Sequence, residues 1–243
     1  MFPEWTWVVG LFIGAAIGSF LNVVVYRVPR GMSLGKPEHS FCPKCKHRLG
    51  VPDLFPLLSW LFLRGRCRHC QAPVPARYFF VELLTGGLWA GFWHQHLIAG
   101  WDPPRAVLLM LFSAALVAAI FIDLEHYIIP DPINAAMLFF GLAFNGCQIA
   151  QGDPKAWTWG VPSSVAGALV GVAALWGIAF LGRLLFQKDA MGHGDIKMAR
   201  GIGAVLLPIG ALMSFGLAVV FGALLGILQI LVRSRRSVGH TGD

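Results

Sequence analysis

The chain has 243 residues, 56% of them hydrophobic and only 13% charged, with a mean hydropathy of +0.67. Soluble domains carry about 25% charged residues, so this composition excludes intrinsic disorder, a disulfide scaffold and an ordinary cytosolic enzyme, and points to a polytopic membrane protein. The net charge of +7 is concentrated: between Arg27 and Arg77 ten basic residues face two acids, Glu38 and Asp53, so that segment carries +8 and the other 192 residues sum to −1.

Trp5 to Tyr26 is an uncharged run of 22 residues, long enough to cross a hydrocarbon core, which takes about 20. Met1-Phe2-Pro3-Glu4 offers no basic n-region, so the run reads as a retained first helix and not as a signal peptide. The positive-inside rule places the basic segment in the cytoplasm and the N-terminus outside. Apolar segments follow at Phe79–Ile98 (with Glu82 near its start), Ala106–Ile122 (ending at Asp123), Ile133–Ala150 and Val161–Leu181. Gly201–Val232 is too long for one span and contains Pro208, which predicts two short helices or a kinked pair. The expectation is an all-α polytopic membrane protein of about seven transmembrane helices (six to eight) with a small zinc-binding cytoplasmic loop domain. It divides into a first helix over 1–26, a basic loop over 27–78 and a helical core over 79–243. Seven spans put the C-terminus inside, in keeping with Arg233-Ser234-Arg235-Arg236, and put 123–131 and 183–200 on the cytoplasmic side. Trp101, Trp157 and Trp159 then fall at the outer interface, where tryptophan is favoured.

Cys42-Pro43-Lys44-Cys45 and Cys67-Arg68-His69-Cys70 are two C-x-x-C pairs with 21 residues between them. Each pair sets two thiolates on one side of a tight knuckle, and two knuckles complete a tetrahedral zinc site. Four protein ligands leave no open position, so the metal is structural. A loop with little core gains its folding free energy from such an ion. Structural disulfides are disfavoured in the cytoplasm, and a redox pair is the competing reading. Cys147 sits in an apolar span as a small packed residue.

Acids near membrane spans are costly and are functional candidates by default. Two stretches carry them: Asp123-Leu124-Glu125-His126-Tyr127-Ile128-Ile129-Pro130-Asp131, and Gly192-His193-Gly194-Asp195-Ile196-Lys197. Asp123 and Asp195 fall at expected cytoplasmic helix ends, so the fold can join them across 72 positions. Two carboxylates sharing a site do not both ionise easily; such a pair can activate a water and protonate a leaving amine, which is aspartic-protease chemistry. Gly192 and Gly194 lack a Cβ and let an extended substrate approach Asp195. The alternatives are that each aspartate is an interfacial cap or a partner for Lys197 or His126, that the carboxylates serve a proton- or ion-coupled transporter, or that the chain is a membrane-anchored zinc module. No H-E-x-x-H is present, which argues against zinc-protease chemistry.

These residues together resemble the type IV prepilin peptidases (leader peptidase/N-methyltransferases), bacterial inner-membrane aspartic proteases of the G-x-G-D type. The resemblance runs over roughly 14–205. It rests on Gly18-Ser19-Phe20-Leu21-Asn22-Val23-Val24, Tyr26-Arg27-Val28-Pro29, both C-x-x-C pairs with Pro56-Leu57-Leu58-Ser59-Trp60 and Arg64-Gly65-Arg66-Cys67 between them, and Arg77-Tyr78. Val81-Glu82-Leu83-Leu84-Thr85-Gly86, the Asp123 to Asp131 block and Met191 to Lys197 complete it. The resemblance implies cleavage of a short basic leader from prepilins or type II pseudopilins after a glycine, at the cytoplasmic face. It further implies methylation of the new N-terminal residue, usually Phe, with S-adenosylmethionine as donor. It assigns Asp123 and Asp195 as the catalytic pair. It associates the N-terminal half with methyl transfer, where Glu82 and Asn22 fall on family motifs. Two positions depart: Leu54 stands where the family commonly has Asn, and Glu125 where it often has Asp.

A basic loop repels a basic leader, so the +8 segment is expected to bind anionic lipid headgroups, at about 1 kcal/mol per basic residue near the surface. Asp131 and Glu125 are then expected to hold the leader. No nucleic-acid partner is expected, because the loop lies between spans and lacks a base-stacking platform.

Overall fold

The computed structural model describes residues 2–36, 39–187 and 192–238, except the side chains of 185, 186 and 231–238. Glu38 and Met191, named above, lie outside them. The chain is almost wholly helical: α1 (Trp7–Arg27), α2 (Leu58–Phe62), α3 (Arg77–Trp93), α4 (Pro103–His126), α5 (Asp131–Ala150), α6 (Ser163–Phe186) and α7 (His193–Val238). A two-residue antiparallel pair, β1 (Trp157–Thr158) and β2 (Val161–Pro162), precedes α6.

Among the described residues five helices are long and apolar enough to cross a membrane, α1, α4, α5, α6 and α7. The other two spans expected from sequence come from α3 and from a division of α7. Helix α3 has 17 residues and continues through a π-helical turn, His94–Ile98. Helix α7 breaks at Leu207, whose φ of 61° and ψ of 174° are not helical; the residue before a proline is driven out of the α region by the ring of Pro208. A Cβ at Gly171 of α6 would lie 2.6 Å from the Ala199 carbonyl oxygen and 3.4 Å from the Phe215 ring. A straight helix would hold residues 199 and 215 about 24 Å apart, so the chain doubles back at the break and both halves pack on α6. The helix also begins at His193, eight residues before the expected Gly201, because His193 to Lys197 winds into its first turns.

Small residues set the packing, as in other bundles where lipid supplies no hydrophobic drive between helices. Gly10, Gly14 and Gly18 form one ridge of α1. A Cβ at these positions would meet Trp93 at 2.8 Å, Trp89 at 2.6 Å and the Cα of Glu82 at 2.7 Å, so α1 and α3 run antiparallel in close contact. Gly201 and Ala204 of α7 meet Met137 and Gly141 of α5 in parallel. Val25, Val81, Val117, Ile122 and Met137 fill the central core.

These directions bring the end of α1, the start of α3, the end of α4 and the starts of α5 and α7 to one end of the bundle. At the opposite end Arg105 binds Asp102 at 2.6 Å and Asp153 at 3.2 Å, and Trp101, Trp157 and Trp159 are exposed.

Candidate active site

The end of the bundle that carries the basic loop also carries both acidic motifs. Helix α4 stops at Tyr127, which takes the left-handed conformation (φ 56°) while its N–H donates to the Asp123 carbonyl at 2.9 Å. Asp123 therefore lies in the last turn of α4. Asp131 opens α5 behind Pro130, and an acid there complements the helix dipole. Asp195 is the third residue of α7.

Two contacts join the motifs. Lys197 Nζ donates to Asp131 Oδ1 at 2.6 Å, and a Cβ at Gly194 would sit 3.4 Å from the Cβ of Ile129. At Gly192 a Cβ would lie 3.3 Å from Asp195 Oδ2, so the carboxylate turns back over that glycine. Asp123 and Asp195 are both half-buried, and no hydrogen bond joins their carboxylates directly.

Charge pairing separates the acids into two groups. Asp53 pairs with Arg68, Asp102 and Asp153 with Arg105, Glu125 with Arg77 and Asp131 with Lys197. Among the described residues Glu4, Glu82, Asp123 and Asp195 form no ion pair, and Glu4 is exposed near the N-terminus. Charges taken out of water are normally paired, so three half-buried or buried carboxylates without a cation stand out. Lys197, an alternative partner for Asp195, is engaged by Asp131. Glu125 and Asp131, expected to hold the leader, pair with Arg77 and Lys197 in the structure. Sequence reasoning had no role for Arg77, because its partner lies 48 positions away; Arg30 Nη1, 3.4 Å from His126 Nε2, makes a second such tie.

The four expected metal ligands converge. The Sγ atoms of Cys42, Cys45, Cys67 and Cys70 lie within 4.8 Å of one another, and those of Cys42 and Cys70 are 3.8 Å apart. The two knuckles repeat each other. Lys46 and Gln71, each following a pair's second cysteine, have φ 58°. Their N–H groups donate to the carbonyls of Cys42 and Cys67 at 2.9 and 3.0 Å, and Phe41 bridges to Arg48 as Arg66 does to Pro73. Zinc–sulfur bonds of about 2.3 Å imply tetrahedral edges of about 3.8 Å, so the four thiols fit a zinc ion. Burial works against ionising Cys42, but the N–H groups of Cys45 and Lys44 and the neighbouring thiols outweigh it and bring it down to about 7. The Ala72 N–H favours the Cys70 thiolate, yet burial and the other thiols push it up to about 11. Arg68, donating to Asp53 at 2.7 Å, holds that carboxyl below the usual range.

Asn22 and Glu82 line a cavity of about 360 Å³ enclosed by α1, α2, α3 and the two knuckles. Glu82 is 7% exposed and Asn22 3%. The Leu57 N–H donates to Glu82 Oε2 at 2.7 Å, and Asn22 Nδ2 donates to the Tyr78 carbonyl at 3.1 Å. Asn22 Oδ1 has no partner. Leu54, the departure noted above, is part of this lining. Helix α2, which hydropathy alone did not predict, carries Trp60 against Phe79 with ring centroids 5.2 Å apart and closes the cavity.

Residues 12–96 match the Bacterial Peptidase A24 N-terminal domain, and residues 110–227 match the Type IV leader peptidase family. The chain is 38% identical to a prepilin leader peptidase/N-methyltransferase of Aeromonas hydrophila, over 90% of this chain and 79% of the relative. It is 33% identical to one from Dichelobacter nodosus, over 83% and 76%. It is 35% identical to a type 4 prepilin-like proteins leader peptide-processing enzyme of Escherichia coli O78:H11, over 81% and 75%. No solved structure matches the chain.

Proposed function

The chain belongs to the type IV leader peptidase family, and from that premise we propose that it cuts the short basic leader from type IV prepilins or type II secretion pseudopilins after a glycine, then N-methylates the new first residue. Asp123 and Asp195 are the residues we assign to the cut. One carboxylate takes a proton from water as it attacks the scissile carbonyl, and the other gives a proton to the leaving nitrogen. Gly192 and Gly194 leave room for the extended substrate. Lys197, Asp131, Glu125 and Arg77 hold the four helix ends in register and do not themselves meet the reacting atoms.

The observation that carries this reading is the combination of proximity and missing charge partners. The Lys197–Asp131 bridge and the Gly194–Ile129 contact bring the two aspartate segments together, while neither aspartate forms an ion pair among the described residues. The same acids lie at helix ends, whereas a transporter would place them near the bilayer midplane within broken helices.

Zinc, held by Cys42, Cys45, Cys67 and Cys70, is assigned a structural role in the basic loop. S-adenosylmethionine supplies the methyl group. We place the protein in the bacterial inner membrane, multi-pass, with the N-terminus periplasmic and with zinc loop and aspartates cytoplasmic, on the strength of the basic residues at that end. Their excess charge suits anionic headgroups.

The test is co-expression with a prepilin followed by mass measurement of the pilin N-terminus. Wild type is expected to yield a shortened, singly methylated product. Asp123→Asn and Asp195→Asn are each expected to leave the precursor intact while still inserting. Cleavage at the normal rate by either variant would rule out the pair, and an intact precursor with wild type would rule out the function.

A further inference from the structure

Glu82 is the unpaired carboxylate that leader cleavage does not use. It is more than nine-tenths buried, and no cation reaches it among the described residues. Its partners are the Leu57 N–H and the Ser19 hydroxyl. Asn22, on α1, presents a buried amide oxygen with no donor. Both groups line the same cavity, whose volume of about 360 Å³ admits a small molecule or the end of a peptide. The carboxylate, which receives two neutral donors and no cation, and the orphaned amide oxygen leave the cavity short of charge and of one donor. Left so, it would carry the cost of a buried charge and of an unmade hydrogen bond.

Of the other charged residues that line the cavity, Lys44 and Arg66 are exposed and form no ion pair with Glu82. Asp53 and Arg68 satisfy each other. Arg27 is turned to the carbonyls of Ser33 and Leu34 at 3.2 and 2.9 Å. The architecture also fixes the acceptors in place: the missing Cβ of Gly18 lets α1 approach the Glu82 backbone, and Leu57 clamps the carboxylate from the loop side. The pocket backs onto the peptidase end of the bundle, because Tyr78, which takes the Asn22 amide, adjoins Arg77, which pairs with Glu125 two residues beyond Asp123.

We infer that the Glu82–Asn22 cavity is a binding pocket for a primary ammonium group. Resting on the methylation reading above, this group comes from one of two sources with the same chemistry: the free amine of the trimmed pilin, or the amino-acid end of the methyl donor. An ammonium supplies three donors and one positive charge, which is what the two acceptors lack.

The test compares amine and amine-free versions of each ligand on the full-length, zinc-loaded protein in detergent or lipid. One arm uses a Phe-initiated peptide with a free or an acetylated N-terminus. The other uses S-adenosylhomocysteine and its deaminated analogue. Wild type is expected to prefer the amine form of one of these pairs by about tenfold or more, as for a hydrogen bond to a charged group, and that pair identifies the source. Glu82→Gln is expected to erase the preference while the amine-free ligand binds as before; a merely structural role would weaken both forms alike. Asn22→Leu, which removes only the orphaned acceptor, is expected to lower the preference about threefold or more and serves if Glu82→Gln does not fold. Equal affinity for both forms in both arms, or a preference that survives these substitutions, overturns the pocket assignment. Processing by the same wild-type preparation separates the two readings: cleavage and methylation without an amine preference defeat the pocket alone, and their absence defeats the proposed function.

Discussion

Replacing Cys67 by serine is expected to unfold the basic loop while the helices stay in place. The four Sγ atoms already lie within 4.8 Å of one another, and zinc requires edges of about 3.8 Å, so closing on the ion takes at most about 1 Å of movement. Little else holds the loop. Among the described hydrophobic residues from 39 to 76, only Cys42 and Cys67 are buried. A structural zinc contributes on the order of 10–16 kcal/mol in domains of this kind, and no other interaction in the segment approaches that. The assay is limited trypsin digestion of the purified protein with fragment masses, alongside zinc content. Lys44, Lys46, Arg48, Arg64, Arg66 and Arg68 are all exposed, so they report on backbone flexibility and not on access. Wild type with one zinc per chain is expected to resist cutting there, and the variant, or the chelated wild type, to be cut rapidly. Equal resistance in the variant or after chelation would show that the loop folds without metal and refute the reasoning.

Apparent zinc affinity is expected to climb with pH through the neutral range in a competition titration. The Cys70 thiol, at about 11 in the metal-free chain, holds its proton there and must lose it, while Cys42, at about 7, retains part of its own only near and below neutrality; affinity flat in pH would contradict this. Gly18→Leu is expected to cost about 1–3 kcal/mol in thermal or denaturant unfolding, because its side chain must enter a space 2.7 Å from the Glu82 backbone. Gly87→Leu, with nothing within 4 Å of its Cβ position, is the matched control and is expected to change stability by less than about 0.5 kcal/mol. Arg77→Glu and Glu125→Arg should each lower the melting temperature by a few degrees, and the swapped double variant should recover most of the loss; additive losses would mean that the pair is not coupled.

Much of the fold is legible in hydropathy and charge. The apolar runs match α1, α4, α5 and α6 to within a few residues, since hydrocarbon thickness dictates the length of an uncharged helix whatever it packs against. The C-x-x-C spacing is equally local: each knuckle is made by its own backbone hydrogen bonds. Less legible were α2 and the start of α7. Helix α2 has five residues, too few for a period, and exists because Leu57 binds Glu82 and Trp60 meets Phe79, contacts made across 25 and 19 positions. The apolar run begins only at Gly201, yet helix begins at His193, where Gly194 can lie against Ile129 of another segment.

The four-cysteine cluster and the membrane-spanning class were available from residue identity and order, because each depends on chemistry carried within a short stretch. The pairing of charges was not. Residue type does not separate Glu125 and Asp131 from Asp123 and Asp195, and only the close approach of α3, α4, α5 and α7 decides which acids meet Arg77 and Lys197 and which form no ion pair among the described residues. The same holds for Glu82, whose isolation comes from α1 and α2 closing over it. A side chain's type is local, but the cost of leaving its charge unpaired is set by whatever distant segments exclude water from it.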